Sequence, residues 1–71
     1  MKDKPEILVK FGSRVRELRN KIGLSQEQLS FKADLHRTYI GMIERGEKNI
    51  TLVNIHKLAD ALEVNVVELL K

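Results

Sequence analysis

Apolar residues recur at helical spacing along almost the whole of this 71-residue chain, and its single proline, Pro5, stands before the first repeat begins. That pattern admits helices and leaves little room for strands. Leu8, Phe11, Val15, Leu18 and Ile22 fall at i, i+3, i+7, i+10 and i+14, which is one face of a helix from about Pro5 to Ile22. Pro5 suits a first turn, and Asp3 with Glu6 has the spacing of a capping box. Gly23 supplies a left-handed stop. A second helix is predicted from Gln26 to about Ala33, N-capped by Ser25 with Gln28 three residues on, and turning Leu29 and Ala33 inward. After a short turn at Asp34 and Leu35, a third helix runs from about Arg37 to Arg45. His36 is its N-cap, Gly46 its stop, and Ile40 and Ile43 its inward pair. Gly41 in mid-helix costs about 1 kcal/mol relative to alanine. Either something presses close to its backbone or it sits on an exposed face. Past a loop from Glu47 to Ile50, Thr51 caps a fourth helix, about Leu52 to Leu62, with Ile55, Leu58, Ala59 and Leu62 buried. Asn65, followed by Glu68, caps a short fifth helix rich in apolar surface: Val66, Leu69 and Leu70.

The expectation is an all-α fold of five helices in one domain, residues 1–71. A chain this short buries only about 60 % of the surface its unfolded form exposes. A deep substrate pocket beside a core is therefore not expected. There is no cysteine, so neither a disulfide nor a cysteine-based zinc site holds the fold. His36 and His56 lie far apart with no third ligand at a usual spacing, so no metal and no cofactor are expected. His56 and Asp60, at i and i+4, lack a nucleophile and a pocket and read as a surface pair. An enzyme is the least favoured class. The N-terminus has no apolar signal-peptide region, and the longest apolar run, Ile7 to Val9, is far short of a membrane span. A soluble, cytoplasmic protein is expected. Thirteen Lys and Arg against ten Asp and Glu give a net charge of +3, which suits a nucleic-acid partner without requiring one.

The segment from Ser25 to Gly46 is more informative than the charge. Two short helices joined by a turn of a few residues cross at a steep angle, as in a helix-turn-helix unit. The third helix then shows Arg37, Thr38, Tyr39, Gly41, Met42 and Arg45 to the outside. Arginine can donate two bonds to a guanine edge, threonine offers a hydroxyl and a methyl, and tyrosine reaches a phosphate. The single tyrosine is expected to be exposed, because Ile40 and Ile43 already fill the inward face.

The stretches Gly23-Leu24-Ser25-Gln26-Glu27-Gln28-Leu29 and Tyr39-Ile40-Gly41-Met42-Ile43-Glu44-Arg45-Gly46 resemble the lambda-repressor and Cro type of helix-turn-helix protein, over about residues 7 to 65. The run Leu35-His36-Arg37-Thr38-Tyr39-Ile40, with Ile43-Glu44-Arg45-Gly46 and Asn49-Ile50-Thr51-Leu52, is similar to a narrower group, the controller proteins of bacterial restriction–modification systems. The resemblance implies a bacterial or phage-encoded transcriptional regulator that binds a palindromic operator in double-stranded DNA as a homodimer. It implies base contacts from Arg37, Thr38 and Met42, although methionine can read only shape or a thymine methyl. Backbone or groove-edge contacts are implied for Gln26, Tyr39, Lys48, Asn49 and Thr51. Arg19 and Glu44 match a partly buried ion pair that ties the first helix to the third. The chain departs from the pattern at Ser30, where alanine or another small residue is usual, and at Asp34, where glycine is usual. Val66, Leu69 and Leu70 are expected at a dimer seam, since a two-fold dimer reads half-sites about 34 Å apart. A phage or plasmid repressor, an antitoxin, or an interaction module that does not bind DNA are the competing readings.

Overall fold

The computed structural model describes residues 3–71, and in them the chain forms five helices: α1 (Glu6–Lys21), α2 (Gln26–Ala33), α3 (Arg37–Glu44), α4 (Leu52–Leu62) and α5 (Val66–Leu69). Local chemistry sets most of the ends. At the start of α2, Ser25 and Gln28 form a reciprocal capping box: the Gln28 N–H donates to Ser25 Oγ at 3.0 Å and the Ser25 N–H to Gln28 Oε1 at 2.8 Å. His36 caps α3 through Nδ1, and Thr51 caps α4 through its hydroxyl. Gly46 follows α3 with φ +73°, and Asp34 takes the left-handed conformation after α2 with φ 56°. Aspartate tolerates that region better than most side-chain-bearing residues.

Two expected caps do not form as side-chain caps. Pro5 is the N-cap of α1 and has no side-chain acceptor, so the Asp3–Glu6 box is absent. Its carbonyl instead accepts from the Leu8 and Val9 N–H groups. Asn65 occupies the N-cap of α5, but its side chain makes no capping bond. Ile22, expected on the inward face of α1, lies one residue past the helix end and is exposed.

One core joins all five helices. Phe11, Val15 and Leu18 of α1 meet Leu29 and Ala33 of α2, Ile40 and Ile43 of α3, Leu58, Ala59, Ala61 and Leu62 of α4, and Leu69 of α5. Backbones come closest where α1 crosses α3. A methyl group placed on Gly12 would collide with the Ile43 carbonyl oxygen and lie 2.8 Å from that of Glu44. Gly12 therefore lets two helix backbones touch, which fixes the distance of α3 from the rest of the fold.

The C-terminal helix corrects the expected seam. Leu69 is 1 % exposed and belongs to this chain's own core, so it cannot face a second copy. Val66 is half-buried against the same core. Leu70, 55 % exposed, and Val67, 64 % exposed, are the apolar residues that α5 leaves uncovered. Among the described residues, no helix is long and apolar enough to cross a membrane.

Candidate nucleic-acid interface

Arg37 and Thr38 stand exposed on the first turn of α3. His36 fixes that turn, because its Nδ1 accepts from the Thr38 N–H at 3.1 Å. An Nδ1 that accepts leaves the proton of the neutral ring on Nε2. One turn further along, Met42 is half-buried. Gly41, between them and Arg45, is buried, and an added methyl there would meet Arg45 Nη1 at 3.2 Å and Gln26 Oε1 at 3.8 Å. Of the two readings of Gly41, close approach is the one realised, though by the ends of flexible side chains rather than by backbone.

Tyr39 is not exposed as expected. Its ring packs half-buried against the core, and its hydroxyl accepts from Asn54 Nδ2 at 3.1 Å. The start of α4 folds beside it, so more than Ile40 and Ile43 faces inward. Nothing in the sequence singles out Asn54. Its backbone N–H donates to Thr51 Oγ1 at 3.2 Å, so the Thr51 hydroxyl serves the cap of α4. Lys48 and Asn49 lie exposed in the loop between α3 and α4. Lys4 holds the entry to α1 against the end of α3, donating to the Arg45 carbonyl at 2.6 Å.

The side chain of Glu44 organises the inner edge of this surface. It has no solvent exposure. Arg19 grips both of its oxygens, Nε to Oε2 at 2.6 Å and Nη2 to Oε1 at 3.0 Å. The remaining Arg19 nitrogen donates to the Leu24 carbonyl at 2.9 Å, so one guanidinium joins α1, the turn before α2 and the end of α3. Gln26 Nε2 donates to Glu44 Oε1 at 3.0 Å, and Arg16 Nε approaches the same oxygen at 3.4 Å. Burial pushes the carboxyl pKa up, but the hydrogen bonds from Arg19 and Gln26, the Arg19 charge and the Arg16 bond together hold it below the ordinary value. Gln26, expected at a phosphate, forms a bridge between α2 and α3, a role that nothing in its sequence position signalled.

A helix-turn-helix family profile matches residues 15–69. The control protein C.BamHI of Bacillus amyloliquefaciens is 52 % identical over 61 residues, covering 84 % of this chain and 75 % of its own. The chain belongs to the helix-turn-helix controller proteins of restriction–modification systems. Solved structures of this family superpose closely. The restriction–modification controller protein C.AhdI from Aeromonas hydrophila is 58 % identical, with a TM-score of 0.86 over 87 % of this chain and 94 % of that one. The structure of C.Esp1396I bound to a 25 base pair operator site matches with a TM-score of 0.85 at 33 % identity, over 93 % of this chain and 87 % of that one.

Proposed function

We propose that this controller-family chain is a sequence-specific transcriptional regulator that binds a palindromic operator as a homodimer, in the cytoplasm and without enzymatic chemistry of its own. The observation that carries the reading is the first turn of α3. Arg37 and Thr38 are exposed there, while His36, Gly12 and the Glu44 cluster hold the helix beneath them rigid. Arg37 and Thr38 select sequence, with Met42 in apolar contact at the groove floor. Lys48, Asn49 and the hydroxyl of Tyr39 face the DNA backbone and supply affinity that falls with salt. Gln26 and Thr51 sit at the starts of α2 and α4, where helix N-termini favour phosphate. The operator-bound C.Esp1396I structure supports this assignment of partner. For the dimer, Val66, Leu70 and the unforeseen Val67 form the seam on α5.

The test is binding of Arg37→Ala to DNA from upstream of the chain's own gene. The expected loss is about 1–3 kcal/mol per half-site, with relaxed choice at one base pair in each. Unchanged affinity and selectivity would remove α3 from the groove.

A further inference from the structure

Arg16 is a cation that the fold does not need where it stands. Arg19 alone already satisfies both oxygens of Glu44. Arg16 reaches the carboxylate through Nε at 3.4 Å, well beyond the roughly 2.7–2.9 Å of a strong charge-assisted bond. Its two terminal nitrogens make no hydrogen bond to the described residues, and its side chain is 51 % exposed. Other paired cations differ. Arg14 holds Glu17 and Glu68 at 3.0 and 3.1 Å, Lys32 holds Glu63 at 3.0 Å, and Arg45 holds Glu47 at 3.1 Å, all closer than Arg16 to Glu44, although Glu68 and Glu47 are themselves shared with Lys71 and Lys4. Two guanidiniums face the one carboxylate of Glu44, so positive charge is left over, and Arg16 is the member that carries it to the surface.

The place where it emerges is set by Glu44 Oε1. That oxygen binds Gln26 Nε2 at 3.0 Å as well as Arg16, so the Arg16 fork lies beside the first residue of α2. The carboxylate itself has no solvent exposure and is neutralised by Arg19, so it does not repel an anion approaching from outside. We propose that Arg16 is a DNA-phosphate contact, oriented by Glu44 to share a phosphate with Gln26. This extends the protein–DNA surface from the helix-turn-helix unit onto α1. It rests on the DNA-binding reading above.

Salt dependence separates a phosphate contact from a structural tether. Wild type, Arg16→Gln, Arg16→Lys and, as a control on the far side of α1, Lys21→Gln are titrated against DNA from upstream of the gene and against unrelated DNA, from about 50 to 200 mM salt. Thermal unfolding is followed in parallel. Arg16→Gln is expected to weaken binding to both DNAs alike and to flatten the slope of log K on log salt by about 1.8, one phosphate contact from each protomer of the dimer. Arg16→Lys and Lys21→Gln are expected to keep the wild-type slope. Weaker binding with an unchanged slope, or a lowered melting temperature that accounts for the loss, would mean that Arg16 only braces Glu44 and would overturn the proposal. Unchanged binding by Arg16→Gln would overturn it too, while leaving the functional reading intact. A wild type that bound neither DNA would sink both.

Discussion

Burying the carboxylate of Glu44 forfeits several kcal/mol of hydration, which only close partners offset. Arg19 and Gln26 provide them, with Arg16 only a longer contact at 3.4 Å, and all three come from α1 and the start of α2, far from Glu44 in sequence. Replacing Glu44 with glutamine leaves Arg19 without its counter-charge, and a loss of about 3–5 kcal/mol in urea unfolding at neutral pH is expected. The pH dependence follows from the depressed pKa. The pair's contribution is fully present above the ordinary carboxyl value of 4.5 and is lost as pH falls through the lower folded-state value. Wild type should therefore lose stability steeply on acidification below about pH 4.5, and Glu44→Gln should lose less over the same range. Parallel acid profiles for the two would show that Glu44 is not the group responsible. At this scale the sequence was legible where the chemistry was local. Ser25 and Gln28 read correctly because both partners lie within one turn. Asp3 and Glu6 have the same spacing but fail, because Pro5 rather than Asp3 stands at the N-cap. The convergence of Arg16 and Gln26 on one oxygen depends on how helices cross, which no spacing within one helix reports.

Helix packing turns on two glycines that a sequence reading weighs the wrong way round. Gly41 draws attention in the middle of α3, yet a methyl there meets only the movable ends of Arg45 and Gln26. Gly12 attracts none, yet it is the point where α1 and α3 touch backbone to backbone. Gly12→Ala should destabilise by about 1–3 kcal/mol, because the overlap can be relieved only by moving a helix. Gly41→Ala should be near neutral or stabilising by up to about 1 kcal/mol, since alanine favours the helix and Arg45 can step aside. Chemical denaturation of the two variants checks the contrast, and the reverse order of stabilities would contradict the packing described. The helix ends at Gln26–Ala33 and Leu52–Leu62 were legible from Ser25, Thr51 and the apolar periodicity. A close contact between distant helices leaves no such periodic trace.

On the proposed reading, two copies present their α3 helices to one face of DNA, and α5 is the proposed join between them. Apolar residues crowd that helix, and their number alone could not say which face turns in. Packing decides it: Leu69 goes to the core, and Val67 and Leu70 stay outside. Leu70→Glu should keep the fold and shift sedimentation toward monomer. Leu69→Glu should lose the fold itself, because an unpaired charge in the core has no compensating partner. A folded, still dimeric Leu70→Glu protein would move the seam off this part of α5. The most direct measurement of the central claim is selection of bound sequences from a random DNA pool by the unmodified protein. The expected product is a palindrome whose half-sites are centred about one helical turn apart, roughly 34 Å. Enrichment of a single unpaired half-site, or of no sequence at all, would contradict it.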